Sequence, residues 1–206
     1  EALQAAAVAL FDETGDRIGA ARASNSLGAI ASSRGEYEAA RERYLAAVEG
    51  LRQPGQEAGL AGALTNLGMA ELNLGDLDRA TELYEEALTL GRASGNTGTV
   101  AHALMNLGIA AAERRDRDRA AALYEEAHGL FRDLGDRRMT AATLVNLGDT
   151  ARARGELDRA SALLLDAIAI YLDLGDHPNV VYALASLAGL PAASRNFERA
   201  LVLAGT

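Results

Sequence analysis

Between Gln56 and Leu74 the apolar residues Leu60, Ala63, Leu64, Leu67 and Ala70 fall three and four apart, the stripe of an amphipathic helix. Gly75 then supplies a left-handed C-terminal cap, and Asp76 or Asp78 starts a second helix. A second stripe runs through Leu77, Ala80, Leu83, Tyr84, Ala87 and Leu88 to about Gly91, and Gly95-Asn96 opens the next stretch. The pattern predicts a helical hairpin. Each arm has about 16 to 18 residues and is near 25 Å long at about 1.5 Å per residue.

The hairpin recurs every 40 residues. Leu27-Gly28 returns as Leu67-Gly68, Leu107-Gly108 and Leu147-Gly148, then fades to Leu187-Ala188. Ala40, Ala80, Ala120, Ala160 and Ala200 keep step. So do the junctions Gly15-Asp16, Gly55-Gln56, Gly95-Asn96, Gly135-Asp136 and Gly175-Asp176. Markers holding one spacing along the chain indicate stacked copies of a small unit. The predicted fold is all-α, a right-handed superhelical solenoid of antiparallel helix pairs. Residues 1–15 read as the second helix of a partial repeat. Full repeats cover 16–55, 56–95, 96–135 and 136–175, and 176–206 is degenerate or truncated. All of 1–206 reads as one repeat domain, a fragment of a larger protein.

The glycines at 28, 68, 108 and 148 lie inside helices, where each costs about 1 kcal/mol relative to alanine. Their recurrence predicts a helix crossing with no room for a Cβ. Ala40, Ala80, Ala120 and Ala160 oppose them, and Tyr44, Tyr84, Tyr124 and the smaller Leu164 fill the space beyond. Two departures stand out. Arg115 and Arg195 replace the turn glycine, predicting a different turn there. Gly189 and Pro191 predict a kink or an early helix end near Leu190.

Leu67-Gly68, Ala80, Tyr84 and Ala87, repeated as Leu107-Gly108, Ala120, Tyr124 and Ala127, resemble the tetratricopeptide repeat. The familiar unit is shorter. This longer form is similar to repeats of kinesin light chains, of LGN/Pins polarity proteins and of the MalT type of ATP-dependent bacterial transcription activators. The resemblance implies a protein-interaction module in a cytoplasmic bacterial signalling or transcription regulator.

Composition narrows the chemistry. Cysteine is absent, which removes disulfides, thiolate catalysis and Cys-ligated metal sites. Lysine is absent too, so Schiff-base chemistry is excluded, and all 20 basic residues are arginine. The net charge of −9 argues against direct nucleic-acid binding. No apolar run is long enough to span a bilayer. His102, His128 and His177 show no metal-ligand spacing, and no phosphate-binding glycine loop occurs. The expectation is a non-enzyme without a cofactor, metal or membrane contact.

The remaining constellation is polar. Ser26, Asn66, Asn106, Asn146 and Ser186 precede the Leu-Gly pair in successive repeats. Stacking aligns them on the concave face, where an amide both donates and accepts and so clamps a peptide backbone. The resemblance implies that use for the Asn. The competing use is a bridge between neighbouring helices. Their helical neighbours are Arg22, Asn25, Thr65, Met69, Asn73, His102, Met105, Ile109, Glu113, Val145, Asp149 and Tyr182. Related repeats that grip a C-terminal carboxylate place cations beside the Asn. Here those positions are unfilled, so an extended or helical segment with apolar anchors is the expected partner. Two alternatives accompany this one: an arm making intramolecular or small-inducer contacts, and self-association through exposed terminal helices.

Overall fold

In the computed structural model Phe11 and residues 14–190 are described. Most of the expected opening helix, the turn at Arg195, Pro191 and the second helix of the last repeat fall outside them. The described residues form nine helices and no strand. They are α1 (Arg17–Ser33), α2 (Tyr37–Leu51), α3 (Glu57–Leu74), α4 (Leu77–Ala93), α5 (Thr97–Glu113), α6 (Arg117–Asp133), α7 (Arg137–Ala153), α8 (Leu157–Asp173) and α9 (His177–Ala188). The fold is an all-α repeat solenoid. The chain divides into two compact units after Ala110, a boundary that falls within α5.

The junctions are built by local chemistry. Asp16, Asp76, Asp116 and Asp136 each cap a helix by accepting from the backbone N–H three residues on, at 2.9–3.1 Å. Asn96 does the same through Oδ1 to Thr99 N at 3.0 Å. Such caps satisfy donors that the first helical turn leaves open. The carboxylate of Asp176 serves another purpose. It is buried and takes Arg138 at 2.7 Å and Asn179 Nδ2 at 2.9 Å.

The turn at Arg115 corrects the expectation of a different geometry. Arg115 sits at φ 61, in the left-handed region that glycine occupies at the equivalent turn residue Gly75 (φ 89). Asp116 N donates to Ala111 O at 2.9 Å, as Asp76 N donates to Glu71 O at 2.9 Å. Retention of this bond outweighs strain of about 1 kcal/mol at a single residue. Replacing Arg115 with Gly is expected to raise stability by about 0.5 kcal/mol, the strain relieved less the added freedom of the unfolded chain. Chemical denaturation is the check, and an unchanged or lower midpoint would refute it.

In the first unit α1 packs on α2, α2 on α3 and α3 on α4. Their core contains Ala40, Tyr44, Ala47, Leu51, Leu64, Leu67 and Leu83, all nearly sealed from solvent. In the second unit α6, α7, α8 and α9 pack in succession, and α7, α8 and α9 share a core that includes Leu144, Leu164, Ile168, Ala183 and Leu187. α9 stops at Ala188 after 12 residues.

The glycine crossings are closer than the spacing implied. A Cβ built on Gly28 meets Tyr44 Cδ1 at 2.6 Å, and one on Gly68 meets Tyr84 Cε1 at 2.6 Å. On Gly148 it meets Leu164 Cγ at 2.8 Å. The tyrosine ring therefore lies against the glycine itself, not in a wider space beyond the crossing.

Candidate functional site: the open face of the first helices

In each pair the first helix turns one stripe to its partner and leaves another less covered. In the first unit that open stripe includes exposed Arg22, Ser26 and Asn73 and half-buried Asn25, Thr65, Asn66 and Met69. On α5, His102 is exposed and Met105 and Ile109 are half-buried. In the second unit Glu113 is exposed, Asn146 and Asp149 are half-buried, and Tyr182 is 59 % exposed. Two expected surface residues are not available. Asn106 is 3 % and Val145 2 % exposed, so both belong to the packed interior. Helical periodicity placed them near the stripe but did not show how far the neighbouring elements cover its edge.

The polar side chains are largely engaged at home. Ser26 Oγ donates to Arg22 O at 3.1 Å, Thr65 Oγ1 to Ala61 O at 2.9 Å, and Asn73 Nδ2 to Met69 O at 2.8 Å. These are bonds back to the preceding turn of the same helix. Others cross between repeats. Asn66 Nδ2 donates to Asn25 Oδ1 at 3.1 Å, joining α3 to α1. Ser186 Oγ donates to Asp149 Oδ2 at 3.2 Å, joining α9 to α7. Arg22 Nη2 donates to Gln56 Oε1 at 3.0 Å, and Arg152 Nη2 to Asp149 Oδ1 at 3.3 Å.

Asn106 behaves differently. Its Oδ1 is buried and has no hydrogen-bond partner among the described residues. An orphaned carbonyl of this kind is destabilising by about 1–3 kcal/mol, and it is held by the packing around it. Burial also raises the phenol pKa of Tyr124, and the negative charges of Glu113 and Asp149 push it further the same way. On the second unit these two carboxylates stand near Tyr124, Asp149 with Arg152 as its partner. Apolar anchors lie instead on the first unit, at Met69, Met105 and Ile109.

The described residues hold no group of three or more His, Asp or Glu side chains placed to bind a metal. None of their helices is long and apolar enough to cross a membrane. One polar pair escaped sequence reasoning. His128 Nδ1 lies 3.3 Å from Thr143 Oγ1 between α6 and α7. The signal was present in the register: His128 falls where other repeats carry Val48, Leu88 and Ile168. Metal-ligand spacing among the histidines does not reveal it.

The tetratricopeptide repeat profile matches residues 59–133 and 101–173. No curated protein matches. Among solved structures, BtubC (BKLC) from P. vanneervenii is 21 % identical with a TM-score of 0.81, covering 99 % of this chain and 86 % of that one. Aspartyl phosphate phosphatase F from Bacillus subtilis is 15 % identical with a TM-score of 0.77. That alignment covers 91 % of this chain but 49 % of the phosphatase, so the chain spans about half of it. Repeats of a putative kinesin light chain from Podosopora anserina are 18 % identical with a TM-score of 0.68, covering 88 % and 90 %. At these identities the likeness is one of fold.

Proposed function

The chain belongs to the tetratricopeptide repeat family, and from that premise we propose that it is a protein-interaction module whose first-helix face receives a peptide or protein segment. The observation carrying this reading is the open stripe of the first unit. Half-buried Met69 follows half-buried Thr65 and Asn66 by one helical turn on α3, and Met105 and Ile109 are half-buried one turn apart on α5, giving the first unit apolar side chains and an amide that are open to a partner. Methionine adapts its shape to different apolar partners. Asn66 spends one N–H on Asn25, and its carbonyl oxygen is not used by that bond. An incoming backbone N–H is the complementary group. The module is assigned to a cytoplasmic bacterial regulator of signalling or transcription, without catalysis of its own and without direct contact to nucleic acid or membrane.

The test is selection of random peptides against the chain, followed by amide chemical-shift mapping of those that bind. Shifts are expected at Ser26, Thr65, Asn66, Met69 and Asn73. Asn66→Ala is expected to weaken a selected peptide about five- to ten-fold, the loss of one net hydrogen bond. Binding unchanged in a folded Asn66→Ala protein, or shifts confined to the second helices, would reject the assignment.

A second reading has its own observation. The bonds Asn66–Asn25 and Ser186–Asp149 use parts of the ladder as bridges between first helices. On this reading the face is an internal brace, and the array is an arm that meets its neighbouring domains or a small inducer. Loss of folding stability in Asn66→Ala, with no loss of peptide affinity, is its signature.

A further inference from the structure

The second unit contains a cavity of about 430 Å³ that shares no residue with the open face. His128 of α6, Thr140 and Leu144 of α7, and Asp166, Ala169 and Ile170 of α8 line it. Leu144, Ala169 and Ile170 make it partly apolar, and exposed Asp166 contributes a carboxylate.

The first unit shows what this carboxylate position holds. Two repeats separate Glu86 from Asp166, and the same interval separates Arg52 from Arg132. Arg52 grips Glu86 through Nη1 to Oε1 at 2.6 Å and Nη2 to Oε2 at 3.0 Å, a two-pronged ion pair. The second unit carries the same residue types without the same bond. Arg132 turns to its neighbour Asp133, with Nη2 and Nε 3.2 and 3.3 Å from Oδ1. Asp166, one methylene shorter than Glu86, makes no ion pair among the described residues.

The histidine has also been adapted to this place. Thr143 occupies the register of Ala63, Ala103 and Ala183, so His128 and Thr143 together replace an apolar pair. The Thr143 hydroxyl has one proton and two carbonyls of its own helix within reach, Met139 O at 3.0 Å and Thr140 O at 2.9 Å. With that proton directed to its helix, the hydroxyl accepts from His128 Nδ1 at 3.3 Å. In that tautomer Nε2 is left as an acceptor.

We propose that this cavity receives an arginine side chain from a partner protein. Its guanidinium pairs with Asp166 as Arg52 pairs with Glu86, one N–H donates to His128 Nε2, and the aliphatic stem lies on Leu144, Ala169 and Ile170. The net charge of −9 favours the approach of a cationic partner. Failure of this seat leaves the first-helix face untouched, and the reverse also holds.

The test is titration of N-acetylarginine amide into the isotope-labelled full chain, followed by amide shifts. Saturable shifts are expected at Thr140, Leu144, Asp166, Ala169 and Ile170. The citrulline analogue, neutral and of the same shape, is expected to bind about five-fold or more weakly, as for loss of a charge-assisted pair. Asp166→Asn should remove the preference for arginine, with helix content unchanged. His128→Leu, which restores the apolar residue of the other repeats, should weaken binding while preserving the fold. Equal binding of the two analogues, shifts scattered over carboxylates elsewhere, or full binding by Asp166→Asn would overturn the proposal. So would a silent wild type that binds only after Arg132→Ala, since Asp166 would then be served from within the chain.

Discussion

Gly68→Val is expected to lower stability by about 3 kcal/mol, at the upper end of the usual range for overpacking a core. The added Cβ alone would lie 2.6 Å from Tyr84 Cε1 and 2.9 Å from Cδ1. Tyr84 is fully buried, so its ring has no solvent to swing into. Relief requires α3 and α4 to part, and those helices share Leu64, Leu67 and Leu83 in one core. Valine's better helix propensity returns only a few tenths of a kcal/mol. For a chain of this length the melting temperature should fall by on the order of 10 °C. The cost must also be coupled to the ring. In a Tyr84→Ala background the same Gly68→Val change should cost less by about 1 kcal/mol or more, because the group it strikes is gone. An unmoved melting temperature would mean that the crossing opens freely.

This contact marks how far the sequence could be read. The period, the helix pairs and a cap at Asp76 were legible, because each depends on residues close in the chain. The need for a small residue at Gly68 was legible for the same reason, through its repeated helix cost. What the glycine faces was not, since the path of the Tyr84 ring depends on helix packing. The candidate face was legible to the same depth. Spacing put Asn66, Asn106 and Asn146 in one register, yet Asn66 bridges to Asn25 while Asn106 is buried with an unpartnered oxygen. Those fates depend on the neighbouring repeats, whose side chains differ from copy to copy. The cavity at His128 was detectable only by comparing copies, because Arg132 and Asp166 match Arg52 and Glu86 in kind but not in bonding.

Truncating Tyr84 to Ala is expected to cost about 4 kcal/mol, the range for removing a large aromatic from a core. Tyr84→Phe should do the opposite and add about 1 kcal/mol. The phenol oxygen of Tyr84 is buried and unpartnered among the described residues, so the folded state forfeits a hydrogen bond that water supplies to the unfolded chain. Phenylalanine keeps the ring against Gly68 and removes that loss. The same burial raises the phenol pKa of Tyr84 well above its ordinary value, and Tyr124 shifts in the same direction. The sign for pH follows from linkage. Below about pH 10 both states keep the proton and stability does not depend on it. Above that, the unfolded phenol ionises while the folded one stays neutral, so stability falls by up to about 1.4 kcal/mol per pH unit for each such tyrosine. Denaturation between neutral and strongly alkaline pH should therefore show a loss whose slope drops by close to one proton in Tyr84→Phe. A slope identical in the two proteins would mean that the ring is reached by water before the repeat unfolds.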